Sequence, residues 1–368
     1  MSIHTRIVFF IALTLAMSFG FMHFLFPNYN FERLHIFLFN LCSGGSIIIF
    51  YTENKGVMTL KNVIFFILAF IYAFLAFFKL YISAIVVSLI LVLIVESVRI
   101  KAFSFIPYDF FTTKVPTSKK FHHASLLCLS LGLLLSTFAI VNHEFFNLLP
   151  FRKLELNTFF LGFSFPVSLI TFSVVFNTMH KARNSIQRYT KITLFWVINI
   201  GVIIFFIFIL FESAILELFI SIVLFLAVST VLYQYIILGI KEQRKTFLTS
   251  GICFLILTAI TGIAYVLLYF FPEYNSEANL QLLRNFHRIV SLYGWNLSGL
   301  VVICRGKDFP LRLHSKRVIM LHWVTVFFLA PLGYYFVYFA LFSLIFYVVF
   351  LSIVFFSSCE NNECEVTV

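Results

Sequence analysis

The chain has 368 residues, of which 61% are hydrophobic and 11% charged, and its mean hydropathy is +1.02. Soluble domains are about half apolar and about a quarter charged, so a soluble globular protein is excluded. The six Cys lack paired spacing, which excludes a disulfide scaffold, and the net charge of +11 has to be explained by where the positive residues lie.

A bilayer-spanning helix needs roughly 20 mostly apolar residues. Twelve such stretches are read in chain order: 6–27, 35–52, 62–78, 80–98, 121–142, 157–178, 192–211, 214–239, 247–271, 284–304, 317–331 and 334–356. The first contains Arg6 but no small-residue cleavage site before Pro27, so it reads as a span and not as a cleaved signal. Only Lys79 separates the third and fourth, which predicts a tight hairpin. The eleventh ends in a turn at Ala330-Pro331-Leu332-Gly333. The inner loop near 99–120 carries Pro107 and Pro116 and is suited to lying along the membrane surface.

These readings predict an all-α, polytopic membrane helix bundle of about twelve transmembrane helices. Residues 1–356 form a single transmembrane domain and 357–368 a short acidic cytoplasmic tail. Basic residues concentrate in cytoplasmic loops. With the N-terminus inside, 20 of the 26 Lys and Arg fall on the inner side. The outer six are Arg33, Lys79, Arg152, Lys153, Arg284 and Arg288. Both termini are therefore expected in the cytoplasm, and a bacterial inner membrane is the expected location. The lipid bilayer accounts for the charge, and no nucleic acid is required.

Soluble-enzyme motifs are absent from the sequence, so it leaves open whether the protein is an enzyme. Glu96, Glu212 and Glu217 lie near span ends, where charges can reach water. Cys359 and Cys364, with Glu360 and Glu363, either hold a metal or form a mobile acidic tail. The ten His lie almost entirely at span ends. His23, His35, His143 and His287 form an outer layer, and His122, His123, His180, His314 and His322 an inner one. Each is an interfacial polar residue or a ligand. His122 and His123 follow Lys119 and Lys120 as a solvated cap would. His180 and His322 define a conceivable inner site.

His35 and His287 begin the second and tenth spans. Helical spacing places Ser291, Gly294 and Ser298 below His287. Phe39, Cys42 and Ser46 lie below His35, with Gly44 and Gly45 alongside. Small residues let a neighbouring helix approach closely, or they leave a slot for a flat macrocycle with an axial imidazole at its end. Arg33, Arg284 and Arg288 lie at the level where propionates need cationic partners.

This arrangement resembles the heme-copper oxidase superfamily. The family has twelve spans, both termini inside, and a low-spin haem held by His near the outer ends of spans 2 and 10. The segment containing Gly294-Trp295-Asn296 looks like the family's tenth span. The resemblance covers the chain as topology and about 40 residues as motif. It implies haem b on His35 and His287, electron transfer or gas and redox sensing, and a redox partner or other membrane subunits. Several features depart from the family. Span 6 has only His180 at its inner end, span 7 has no His, position 289 is Ile, and the turn after span 11 lacks paired Arg. Copper and a second haem are therefore not implied. The alternatives are a cofactor-free polytopic transporter or membrane assembly factor, and an enzyme on lipids using His122 and His123.

Overall fold

The computed structural model describes residues 1–149, 162–240, 243–306 and 315–357. Within them the chain is helical with no β-strand, only one isolated bridge between Met179 and Gly239. Ten helices are long and apolar enough to cross a bilayer, and the chain reads as an integral membrane protein. They are α1 (Ile3–Gly20), α2 (Phe31–Glu53), α3 (Leu60–Phe77), α4 (Tyr81–Ala102), α5 (Thr117–Phe146), α7 (Ser185–Leu210), α8 (Ala214–Leu238), α9 (Arg244–Phe270), α11 (Lys316–Gly333) and α12 (Val337–Phe356). Two more complete the twelve expected stretches. One is the shorter apolar α6 (Gly162–Asn177), and the other is the continuous helix α10 over 277–305. The tail from 358 onward, with Cys359 and Cys364, lies outside the described residues, as do Arg152, Lys153 and His314.

Polar residues set the helix starts. The side chains of Ser2, Asn30, Thr59, Asn184 and Ser276 each accept a backbone N–H of the first turn, as good N-caps do. The chain alternates between two ends of the bundle. At one end, the Ser2 N–H donates to the Gly56 carbonyl at 3.0 Å and the Arg188 guanidinium to the Thr113 carbonyl at 2.6 Å. Several cations there bond carbonyls at helix C-termini: Lys245 to Ile236 at 3.0 Å, and Arg305 to Phe355 at 2.6 Å and Ser357 at 2.7 Å. That placement suits the negative end of the helix dipole. At the other end lie Arg33, Lys79, Arg284 and Arg288. These described basic residues thus divide between the two ends, while Arg152 and Lys153 lie outside the described residues.

Helices α2 and α10 form the centre. Every residue from Leu34 to Phe50 is buried, and every residue from Arg288 to Arg305 except half-buried Ser291. Both carry many small and polar residues, such as Asn40, Ser43, Gly44, Gly45, Gly294, Asn296 and Ser298. That is the expected order in lipid, where polar groups turn inward and small residues let backbones approach. Both helices pass through π-helical stretches, Leu38–Gly45 and Val290–Asn296, as do the end of α5 at Asn142–Phe146 and α11 at Val324–Leu329. In the first, the Ser43 hydroxyl donates to the Leu38 carbonyl five residues back at 2.9 Å.

Candidate functional site

Spans 2 and 10 are in contact, as expected, but Arg288 and Tyr293 make that contact where His287 was expected to. Arg288 is 5% exposed and forms an ion pair with Glu32. It also donates to the Asn285 side-chain oxygen at 2.9 Å and lies 5.7 Å from the centre of the Tyr334 ring. Tyr293 packs edge-on against Phe39 at 5.0 Å and parallel to His35 at 6.5 Å. His35 is 3% exposed, and its Nδ1 is 3.4 Å from the Phe31 carbonyl. Its ring seats against Gly20 of α1.

His287 faces a different helix. Its Nδ1 is 3.2 Å from the Thr261 hydroxyl of α9, and its ring covers Gly262. Consecutive residues on a helix point about 100° apart, so His287 looks to α9 while Arg288 looks to α2. The small residues below it continue the same contact. A Cβ on Gly294 would lie 2.5 Å from Phe254 of α9. Ser298 packs on Gly251, and its hydroxyl donates to the Gly294 carbonyl at 2.7 Å. The stripe His287–Ser291–Gly294–Ser298 is thus the seat of helix α9. The counterpart below His35 is filled too: Gly44 meets Val167 and Gly45 meets Phe65.

These residues, as packed, do not fit a macrocycle. The cavity beside His35, Arg288, Tyr293 and Tyr334 has a volume of about 10 Å³, room for about one water. Cofactor pockets are usually several hundred Å³. Of the other expected partners, Arg284 is exposed and pairs with Glu277 at 2.5 Å, while Arg33 lines a separate cavity. Among the described residues, no group of three His, Cys, Asp or Glu stands together as a metal site.

The inner histidines divide similarly. His322 is buried, donates to the Tyr293 carbonyl at 2.7 Å and stacks on Phe350 at 4.4 Å, whereas His180 is exposed. The structure does not bring them together. His122 bonds the Thr52 hydroxyl at 2.8 Å. His123 is fully buried, stacked on Phe103, and accepts from Arg99 at 3.0 Å. Arg99 in turn pairs with Glu96 at 2.6 Å and holds the carbonyls of Ser104 and Phe105. His123 is therefore no solvated cap. It belongs to a clamp that fixes the 103–116 loop.

A cavity of about 600 Å³ lies at the Lys79 end between α2, α3, α4 and α5. Arg33, Lys79, His143 and Glu144 line it together with Phe37 and Tyr72. The Tyr72 hydroxyl is bonded to that of Ser136. Of these residues only Arg33 was expected at a site. Lys79 and Tyr72 were missed because α2, the α3–α4 hairpin and α5, distant in sequence, form the cavity together, and the local signal was the unusually short hairpin.

The chain matches no known protein family, no characterised protein and no solved structure. The likeness to heme-copper oxidases therefore rests on the sequence reading alone.

Proposed function

We propose that the chain is a cofactor-free polytopic transporter or membrane assembly factor that takes its ligand at the Arg33–Lys79 cavity. The observation that carries this reading is the cavity itself. Its volume of about 600 Å³ lies within the usual range of ligand sites, roughly 300–1,000 Å³. It combines an apolar wall with a few charged groups, as such sites do. With the basic end of the bundle in the cytoplasm, the cavity opens on the outer face and both termini lie inside. A bacterial inner membrane suits that orientation. The lipid bilayer is then the constant partner, and no nucleic acid is required.

The haem reading carries electron transfer or gas and redox sensing, with a redox partner. It needs His35 and His287 to share one iron. Their separate settings, against α1 and α9, weigh against it.

One preparation tests both readings. The purified protein should show no low-spin haem bands in a reduced-minus-oxidised absorption spectrum. Native mass spectrometry should find a bound small molecule that is lost on Ala139→Trp, which fills the cavity. A b-type spectrum abolished by both His35→Leu and His287→Leu would replace this reading with the haem carrier.

A further inference from the structure

The α3–α4 hairpin turns within Phe78, Lys79 and Leu80. The Leu80 N–H donates to the Leu75 carbonyl at 2.8 Å and the Lys79 N–H to the Ala76 carbonyl at 3.2 Å. This pair of bonds closes a helix C-terminus with its next residue left-handed, a position usually taken by Gly. Here it is Lys79, at φ +60°. A side chain is disfavoured there on steric grounds, so turn chemistry alone would select Gly. The α7–α8 turn places Glu212 in the same motif at φ +53°. The motif alone therefore says nothing about a ligand; what distinguishes Lys79 is that it lines a cavity.

Arg33 is the second cation lining that cavity. Among the described lining residues the one carboxylate is Glu144, which accepts from His143 Nδ1 at 2.7 Å. The fixed charges of the described lining residues, Arg33, Lys79 and Glu144, thus sum to net positive. Deeper in, the wall is Phe37, Ala73, Ala76 and Phe77. The polar groups of the floor are already engaged with each other, Tyr72 with Ser136. A ligand entering here meets cations at the rim and hydrocarbon below.

We propose that this cavity binds a phosphate-class anion carried on an apolar tail, with Arg33 and Lys79 meeting the anion and the Phe37–Phe77 wall taking the tail. The inference rests on reading the cavity as the ligand site and adds the ligand's chemistry. Such an anion comes either from a lipid headgroup or from a soluble phosphate compound. The apolar wall favours the headgroup.

The test uses the full-length detergent-purified protein and its thermal unfolding midpoint. Phosphatidylglycerol, phosphatidylcholine with the same acyl chains, and inorganic phosphate are each titrated. The expected result is that phosphatidylglycerol binds about tenfold tighter than phosphatidylcholine, as two exposed cations together supply. Arg33→Gln and Lys79→Gly should each remove most of that preference. Lys79→Gly keeps the turn, because Gly suits the left-handed position, so misfolding does not explain a loss. Glu144→Gln should increase the preference, and Lys114→Gln, at the opposite end, should leave it unchanged. If inorganic phosphate alone reproduces the shift, the anion site stands and its ligand is soluble. Equal binding of the two lipids, or full preference in Lys79→Gly, would overturn the proposal. Ala139→Trp separates the two levels. If it removes equal binding of both lipids, the cavity reading survives without the anion. If it changes neither lipid's binding, the cavity is not a ligand site.

Discussion

Whether the small-residue face of α10 is a slot or a helix seat is decided at Gly294 and Phe254. Phe254 is fully buried, stacks on Trp323 with ring centres 4.1 Å apart, and fills the notch at Gly294. In a bilayer the transfer part of a large-to-small penalty nearly vanishes, because lipid is as apolar as the core. The cavity part remains, at about 24 cal/mol per Å³. Phe254→Ala leaves a void on the order of 100 Å³, so it should cost about 2–3 kcal/mol. Gly294→Ala places a methyl 2.5 Å from the Phe254 ring, an overpacking worth about 1–3 kcal/mol. Combined, the two changes should partly cancel, since the new methyl enters space the ring has left. Their coupling should reach at least about 1 kcal/mol. Reversible unfolding in mixed detergent micelles, applied to the four corners of the double-mutant cycle, measures it. Strict additivity, or a Gly294→Ala variant as stable as the parent, would refute the seating of α9 on this face and reopen the slot.

Two further outcomes are expected. Glu32→Gln removes the ionic partner of Arg288, which is 5% exposed; stability in detergent should fall by about 1–3 kcal/mol, and a drop no larger than for Arg284→Gln at the surface would show the pair to be idle. Cysteines at Lys55 and Lys114 should react with an impermeant maleimide only from the cytoplasmic side and cysteines at Asn28 and Asn275 only from outside, and any other division between the two sets would refute the proposed orientation.

The helices were legible because hydropathy alone marks a span when the solvent is lipid. Even the hairpin at Lys79 could be read from the shortness of the gap. Span 6, expected from 157, is described from Gly162; residues 150–161 lie outside the described residues. The site was much less legible. Periodicity placed His287, Ser291, Gly294 and Ser298 correctly on one face, but it cannot say what packs on that face. The two readings, close helix approach and a macrocycle slot, require the same residues. Phe254 separates them, and nothing in its own sequence context marks it as the partner of Gly294. Arg288 was likewise expected at the right level as a propionate partner. Its actual partner, Glu32, is 256 residues away.

The burial of Arg288 points to how the two halves of the molecule are joined. A charge removed from water is tolerated only when paired and hydrogen-bonded. Here one guanidinium meets Glu32 of α2, Asn285 of its own helix and the Tyr334 ring after α11. Those contacts tie the amino-terminal helices to the carboxy-terminal ones just above the cavity that His35 shares with Tyr293. Below, His322 of α11 donates to the Tyr293 carbonyl within the π-helical stretch of α10. Apolar transfer adds little between helices that lipid would solvate equally well, so close packing and directional polar bonds of this kind together specify which helix faces which. Three of the histidines at span ends make such bonds, His287 with Thr261, His322 to Tyr293 and His123 with Arg99, while His35 bonds the Phe31 carbonyl of its own helix. The bonds of His287, His322 and His123 join neighbouring helices, and the Arg33–Lys79 cavity, whose rim carries charge and whose wall carries none, is the site proposed for a ligand.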